Sequence, residues 1–292
     1  MPGPGMANPW RVWAEPTSEF IGFDSAALQG WNMKKIAVCY KWVLNDADMR
    51  VNPANQELDA SRCKYQINEY DRTGLETGVQ IKAAAGGELV GLTCGTASEA
   101  SAKDALSRGP DVVYSLDDAA MERADSGVTA KALAAMVKTV GDIDVVVCSE
   151  GSSDDYAQQV GPRLAALLDY PCVSYVSRVT VEGDTLHLER KLEDGTECVS
   201  IPAPVVITIV PDICEAPIPS VKQILGAKKK PANTLSLADA GLDAAAVTPR
   251  ITVNSVKAPL TTRKAVRMNP DGTSLDDAAA NLVKQLAADG VL

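Results

Sequence analysis

Short apolar stretches alternate with longer helix-favouring segments over residues 33–170 of this chain. The apolar stretches lack the strict polar alternation of a half-exposed strand, so each predicts a strand that is covered on both faces. The predicted strands are 36–39, 89–93, 112–115 and 144–148. The predicted helices are 68–84, 97–106, 128–140 and 156–168. This order predicts a three-layer α/β fold, with a mostly parallel sheet joined by right-handed crossovers.

After Pro171 the period of the sequence pattern changes. Strands are predicted at 173–181, 185–192, 197–201 and 205–210, with turns at Glu182-Gly183-Asp184 and Asp194-Gly195. Such hairpins predict an antiparallel extension of the sheet. A Pro-rich segment then leads into a short helix from Ser220, and a weakly patterned arm ends in an amphipathic helix at 274–288. Docking of this arm on a partner and packing on its own domain both remain open.

Composition excludes several classes of function. The formal net charge is −10 and the one basic run is Lys228-Lys229-Lys230, which argues against a nucleic-acid partner. No stretch approaches the roughly 20 apolar residues of a membrane span. The seven cysteines form no CxxC pair, which disfavours a zinc site or disulfide framework and suits a reducing cytoplasm. The single histidine, His187, lies in an alternating segment that predicts an outward-facing strand residue, which leaves little from which to build a hydrolase triad.

A small, polar segment follows the predicted strand at 144–148 and precedes the next helix. Ser149, Gly151, Ser152 and Ser153 would let backbone amides approach an anion closely, and the helix would point its positive end at the same place. Neither GxxxxGK[ST] nor GxGxxG occurs. A ligand phosphate would therefore be held by amides and hydroxyls, although a capped helix after a serine-rich turn is an equally good interpretation.

Other predicted strand and helix ends share this carboxyl edge of the sheet. Cys39-Tyr40-Lys41 closes the first strand, Asn68-Glu69-Tyr70-Asp71 opens a helix, and Thr93-Cys94-Gly95 closes another strand. Backbone groups there can bind an adenine edge, and Asn68 or Asp71 can reach a ribose hydroxyl. Taken singly, each residue also has a structural interpretation: Asn68 as a helix cap, Tyr70 as packing and Lys41 as surface charge. Their joint placement favours a nucleotide.

Six motifs lie in order between about residue 33 and residue 245. They are CYK at 39–41, YD at 70–71, LSRGPD at 106–111, GSSD at 151–154 with YAQQVG at 156–161, SIPAP at 200–204, and IPSVKQILGAKKKP at 218–231. Together they resemble the beta subunits of electron transfer flavoproteins, and most closely the Fix-type (FixA-like) branch. The resemblance implies an electron carrier subunit that has no catalytic residues of its own and pairs with an alpha subunit in a heterodimer.

The resemblance also implies a cofactor and a set of positions. In that family the beta subunit binds AMP, or a second FAD in the bifurcating branch, while the electron-transferring FAD is held mainly by the alpha subunit. The implied nucleotide-binding residues are Cys39, Lys41, Asn68, Glu69, Tyr70, Asp71, Cys94, Ser149, Glu150, Gly151, Ser152, Ser153, Asp154, Asp155, Tyr156, Ala157, Gln158, Gln159 and Val160. Ile218, between two prolines, matches the apolar anchor of the recognition loop, residues 214–231, which docks on a partner dehydrogenase.

The predicted organisation has three parts. Residues 1–32 hold three of the four tryptophans and both phenylalanines, and form an extension of unclear role before Met33. Residues 33–250 form the adenine-nucleotide-binding domain with its recognition loop, and 251–292 form an arm and helix that dock on the partner subunit. Residues 44–46 (LND) stand where the family usually has Pro-Asp. Tyr156 departs from the pattern of the bifurcating branch, and this departure leaves both AMP and FAD open as the ligand of this subunit.

Two other functions are compatible with such a sheet. An ATP-dependent adenylating enzyme would need a Ser-Gly-Gly-x-Asp-Ser type loop, which the sequence lacks. A self-sufficient adenine-nucleotide-binding module would need neither the recognition loop nor the long C-terminal arm.

Overall fold

A mostly parallel sheet with helices on both faces forms the body of the protein. The structure, a computed structural model, describes residues 11–13, 33–259, 265–269 and 272–292. The strands of the large sheet are β1 (Arg11–Trp13), β2 (Lys35–Cys39), β7 (Glu88–Gly95), β8 (Val112–Asp117), β9 (Ile143–Ser149), β10 (Cys172–Glu182), β11 (Thr185–Lys191), β12 (Thr196–Pro202), β13 (Val205–Ile209) and β14 (Ala232–Leu235). The short strands outside it are β3 (Trp42–Leu44), β4 (Arg50–Val51), β5 (Leu58–Asp59) and β6 (Tyr65–Ile67). The helices are α1 (Glu69–Ala85), α2 (Ala102–Ser107), α3 (Ser126–Val140), α4 (Val160–Leu168), α5 (Val221–Ala227) and α6 (Leu275–Ala288).

The order of strands in the large sheet is β1-β12-β11-β10-β13-β9-β2-β7-β8-β14. From β14 to β10 all neighbours are parallel, and β11, β12 and β1 continue the sheet with antiparallel pairs. The predicted parallel sheet with an antiparallel extension is therefore confirmed. The carboxyl ends of β2, β7 and β9 lie side by side, since β2 pairs with both of the others.

Alternate residues of the strands face two separate apolar cores. On β2, Ile36 and Val38 join the core formed with α1, α2 and α5, whereas Ala37 and Cys39 join the core formed with α3 and α4. The central parallel strands β2, β7, β9 and β13 are thus apolar on both faces because each face is covered by helices. This is the physical reason why the continuous apolar runs in the sequence predict strands of a three-layer fold.

Two predicted helices differ from the observed ones in where they begin. The helix predicted from residue 156 begins at Val160, because Tyr156 and Gln158 have left-handed backbone angles (φ 44° and 54°) that a right-handed helix excludes. The segment predicted as one helix from Ala97 begins as a 3₁₀ turn, Ser98–Ser101, and continues as α2. Ala97 itself has φ 57°, so it cannot belong to a helix.

The chain divides into two compact units. The first comprises the described residues up to Met49 together with Ala60–Asn254, and the second comprises Arg50–Asp59 and Ser255–Leu292. In the second unit β4 pairs with β5, and the N–H of Ala258 donates to the carbonyl of Gln56 at 3.0 Å. Helix α6 is capped by the Ser274 hydroxyl and buries none of its side chains. Among the described residues no helix has the length and apolar character needed to cross a bilayer.

Candidate functional site

The candidate site lies where the ends of β2, β7 and β9 meet the start of α1 and the loop 150–159 that follows β9. This is the carboxyl edge of the parallel sheet, where open α/β sheets bind ligands. The sequence places Cys39-Tyr40-Lys41 at the end of β2, Asn68 just before α1, and a serine-rich loop after β9. These segments meet in the structure through the contacts of Asn68, Asp71 and Lys41.

Asn68 joins α1 to the loop 150–159. Its side chain is fully buried; Nδ2 donates to the carbonyl of Gly151 at 3.2 Å, and Oδ1 accepts from the N–H of Ser153 at 3.1 Å. Its backbone N–H donates to the carbonyl of Lys41 at 3.0 Å. Asn68 occupies the N-cap position, but its side chain makes no capping hydrogen bond. The interpretation of Asn68 as a simple helix cap is therefore wrong, because the carboxamide binds the loop instead.

Asp71 is a carboxylate buried at the centre of the same junction. Its Oδ2 accepts the backbone N–H of Lys41 at 2.7 Å, and only 5% of the residue is exposed. Burial raises the pKa of Asp71 to about 6, against the opposing effects of the Ser149 hydroxyl, the Lys41 amide, Asn68 and the Lys41 charge. A buried carboxyl group whose pKa lies this close to neutral pH is a candidate ligand-binding group.

Two buried hydroxyls near this junction have no hydrogen-bond partner in the part of the chain that the structure describes. They are Ser149 Oγ at the end of β9 and Thr93 Oγ1 near the end of β7. The Ser149 hydroxyl lies near enough to Asp71 to lower the pKa of that carboxyl, but it does not form a hydrogen bond of normal length with it. A buried hydroxyl without a partner costs free energy, so each is a potential contact for a ligand or an ordered water.

Strand alternation puts both hydroxyls on one face of the sheet. Val147 and Leu89, two and four residues earlier on their strands, both face the core formed with α1, and so therefore do Ser149 and Thr93. Gly74 of α1 approaches closely at this point, since a Cβ added there would lie 3.4 Å from Ser149 Oγ. Gly74 thus brings α1 near the end of β9, and the Ser149 hydroxyl lies beside the first turns of α1.

Charged side chains form the rim of the site. Lys41 Nζ contacts Asp154 Oδ2 at 2.7 Å and Asp155 Oδ2 at 2.9 Å, and the Ser152 hydroxyl donates to Asp154 Oδ1 at 2.6 Å. Burial opposes the charge on Lys41, but Asp154 and Asp155 outweigh it and raise the pKa of the lysine. Lys41 is thus more than a free surface charge, because it holds the loop 150–159 against the end of β2.

Tyr156 covers the middle of the loop. Its ring lies edge-on to Tyr70, with 5.8 Å between centroids, and its hydroxyl donates to Glu150, which raises the pKa of Tyr156 to about 12. A Cβ added to Gly151 would lie 2.7 Å from the Tyr156 ring, so the ring rests directly on the glycine. This contact agrees with the packing interpretation of Tyr70, and its predicted role in nucleotide binding stays a prediction.

The two predicted cysteines differ in orientation from the groups above. Cys39 and Cys94 face the core formed with α3 and α4, on the opposite face of the sheet from Ser149 and Thr93. The pKa of the Cys39 thiol is well above its usual range, through its contact with Cys148 and through burial, and burial raises that of Cys94 to about 12. Both thiols therefore stay protonated, and only the backbone of these residues reaches the edge shared with Asn68.

The remaining predicted residues lie on the outside of the site. The side chains of Glu69, Ala157 and Gln158 are exposed. Gln159 Oε1 accepts hydrogen bonds from Ser126 at 3.1 Å and from Arg163 at 2.8 Å, which joins the loop to α3 and α4. Sequence reasoning missed Ser126, because it lies 33 residues from Gln159 and carries no motif.

His187 faces outward from β11, as its alternating segment predicts. The ring Nδ1 lies 2.8 Å from Ser200 Oγ on β12, and Nε2 lies 3.4 Å from Glu182 Oε2. These are contacts between neighbouring strands of the antiparallel extension, with His187 directly opposite Ser200. The histidine is thus part of a polar row on that face and is not part of the site at the strand ends.

A comparison with protein-family models gives a match to the electron transfer flavoprotein domain over residues 57–240. The matched region covers well over half of the 292 residues and includes most of the parallel sheet, the loop 150–159 and α5. Proteins with this domain are electron carriers rather than enzymes. The chain belongs to the electron transfer flavoprotein family.

Proposed function

We propose that this chain is the beta subunit of a heterodimeric electron transfer flavoprotein of the Fix-type branch. In this role it passes electrons between a dehydrogenase, such as one that acts on acyl-CoA or carnitine-linked substrates, and an acceptor. Support for the family comes from the domain match, and support for the subunit and branch comes from the motifs at 39–41, 106–111, 151–161 and 218–231. The electron-transferring FAD is assigned to the alpha subunit, and the expected compartment is the cytoplasm.

The observation that carries the nucleotide part of this proposal is the junction around Asn68. A buried carboxamide fixes the loop, a buried carboxylate has a raised pKa, and two buried hydroxyls have no partner among the described residues, all at one edge of the sheet. We assign the ribose hydroxyls to Asp71 and the phosphate to the amides and hydroxyls of 149–153. A structural capped turn would not need the unpartnered hydroxyl of Ser149.

The ligand on this subunit is AMP or a second FAD. Both carry the adenosine and the α-phosphate that these groups would hold, so the junction itself suits either. The two differ in what lies beyond the phosphate, where Tyr156 rests on Gly151. Because Tyr156 is 45% exposed and its contacts with Tyr70 and Glu150 lie at the surface of the loop, its ring can move to admit a longer ligand.

Two segments are assigned to partners. Ile218 is 94% exposed between two prolines, and we assign it to the docking of a dehydrogenase. Helix α6 exposes Leu275, Leu282 and Val283, and we assign it to the alpha subunit. An amphipathic helix with no buried side chain in the described part of the chain is suited to a partner's surface.

The test of the nucleotide site uses the complex of this chain with its alpha subunit. Ser152→Trp and Asp154→Lys should each lower the AMP or FAD retained by this subunit several-fold, while circular dichroism and complex formation stay unchanged. The matched control is Asp212→Lys, a charge reversal on an exposed residue outside the site. Unchanged nucleotide content in both site variants would refute the assignment of 149–160 to the phosphate and ribose.

A further inference from the structure

A small cavity lies at the base of the recognition loop. It is bounded by α1, by the end of α2 and by the segment from Ala216 to Pro219, and its volume is about 80 Å³. A single water needs roughly 10–15 Å³ on the same measure, so the cavity has room for a larger polar group. The charged residues that line it are Arg72, Glu76 and Arg108.

Arg72 lines this cavity and carries an unused hydrogen-bond donor. Its Nη2 donates to Gln66 Oε1 at 2.9 Å, but its Nε is buried and has no partner among the described residues. A buried guanidinium N–H without an acceptor is costly, and the planar donors of arginine match a carboxylate well. Arg108 adds a second positive charge whose Nε is bonded to Asp104 at 3.0 Å.

The one acidic residue that lines the cavity, Glu76, lies one helical turn after Arg72. It accepts a hydrogen bond from Gln80 at 3.1 Å, and no ion pair between Glu76 and Arg72 is present in the described part of the chain. The spacing of four residues nevertheless lets a rotation of Glu76 bring it to Arg72. Glu76 is therefore an internal competitor for any carboxylate that enters from outside.

The loop beside the cavity is held rigidly. Ser220 and Gln223 form a reciprocal capping box at the start of α5, and Lys230 Nζ donates to the carbonyls of Leu106, Gly109 and Pro110 at 2.6–3.2 Å. Pro217 and Pro219 line the cavity, and the residue between them is Ile218, the exposed anchor. A protein that contacts Ile218 therefore lies next to two residues that line the cavity.

We propose that the cavity receives an aspartate or glutamate side chain of the docking protein, with Arg72 Nε as the donor and Arg108 as the supporting charge. The inference rests on the proposed function, in which Ile218 contacts a dehydrogenase. The proposal adds a charged contact beside the apolar contact of Ile218. Recognition then requires that the dehydrogenase carry an acidic residue at a fixed distance from the apolar surface that binds Ile218. An arrangement of this kind gives specificity more than affinity.

In the experiment an acyl-CoA dehydrogenase reduces the purified heterodimer, whose concentration is varied. The rate is measured from the reduction of the heterodimer's flavin over time. Arg72→Gln should raise the KM for the heterodimer roughly five- to tenfold, leave kcat unchanged and weaken the dependence of KM on salt. Glu76→Gln should lower KM, because it removes the internal competitor. Arg178→Gln, which removes an exposed arginine of β10, is the matched control and should leave KM unchanged.

Ile218→Ala separates the inference from the proposed function. If Ile218→Ala raises KM while Arg72→Gln and Glu76→Gln do not change it, the loop docks but the cavity receives no carboxylate. If Ile218→Ala has no effect either, docking through this loop is refuted together with that part of the proposed function. A rise of KM in Glu76→Gln would also overturn the inference, since it would make Glu76 a direct contact of the partner.

Discussion

The carboxamide of Asn68 donates from Nδ2 to the carbonyl of Gly151 at 3.2 Å, which ties the residue before α1 to the loop after β9. Asn68→Asp replaces this donor by a carboxylate oxygen in a fully buried position. We expect a loss of about 2–4 kcal/mol in the free energy of unfolding, because an acceptor would then face an acceptor. Urea unfolding followed by circular dichroism measures it.

The control for this change is Gln80→Glu, which alters charge in the same way on the same helix, three turns from the loop. It should change the stability by less than about 1 kcal/mol. If both variants lost the same free energy of unfolding, the added charge on α1, and not the hydrogen bond to Gly151, would be the cause of the destabilisation.

Asp71 makes the stability of the protein depend on pH. Its folded-state pKa of about 6 lies above the ordinary value of 3.8, so its protonated form stabilises the fold and this contribution is lost as the pH rises through 6. Asp71→Asn removes the titration. We expect the variant to gain about 2–3 kcal/mol relative to the wild type between pH 4 and pH 7, measured by urea unfolding of the nucleotide-free chain. A constant difference over this range would contradict the burial of an ionisable Asp71.

The same carboxylate should make nucleotide binding depend on pH. A ribose hydroxyl that donates to ionised Asp71 lowers the pKa of the carboxyl, so AMP should bind more tightly as the pH rises from 5 to 7. Isothermal titration at several pH values measures the affinity. The dependence should be weaker in Asp71→Asn, where only the phosphate of AMP, with a second pKa of about 6, still titrates in this range. An equal dependence on pH in the wild type and in Asp71→Asn would remove Asp71 from the ribose contact.

Two helical glycines should respond to the same substitution in opposite ways. A Cβ on Gly78 of α1 would lie 2.5 Å from Val38 Cγ2 and 2.9 Å from Leu89 Cδ1, whereas a Cβ on Gly226 of α5 would meet no atom within 4 Å. Gly78→Ala should destabilise the protein by about 1–3 kcal/mol through overpacking. Gly226→Ala should stabilise it by about 0.5–1 kcal/mol through helix propensity. Thermal or urea unfolding of both variants shows whether each substitution raises or lowers the free energy of unfolding.

Lys230 should be the one lysine of the basic run that matters for stability. Its ammonium binds three backbone carbonyls at the end of α2, whereas Lys229 is exposed. Lys230→Met should lower the free energy of unfolding by about 1–3 kcal/mol, because those carbonyls lose their donor. Lys229→Met, with the same change of charge and size, should be neutral within about 0.5 kcal/mol. Similar effects of the two would mean that the contact with the carbonyls is not maintained in solution.

The sheet could be predicted because its strands are apolar on both faces and its helices lie between them. The predicted strand at 36–39, for example, differs from β2 by one residue. The start of α4 could not be predicted, because the left-handed angles of Tyr156 and Gln158 depend on contacts with Gly151, Tyr70 and Glu150 that are made only after folding.

For the candidate site, the sequence predicts the positions of some residues but not their contacts or orientations. Asn68 and Asp71 were expected at the edge from their position before and in α1, but the partner of the Asn68 side chain is 83 residues away in the sequence. The orientation of Cys39 depends on which face α3 covers, which the local pattern does not reveal. The cavity beside Arg72 has no sequence signal, since it is formed by three segments that meet only in the folded chain.

The most direct test of the central claim is the nucleotide content of the purified heterodimer after denaturation. We expect one FAD from the alpha subunit together with a second adenine nucleotide from this chain, either one AMP or one further FAD per heterodimer. One FAD with one AMP would make the nucleotide of this subunit structural, and two FAD would place a redox flavin on it. One FAD with no other adenine nucleotide would contradict the claim that this chain holds a nucleotide at the strand ends.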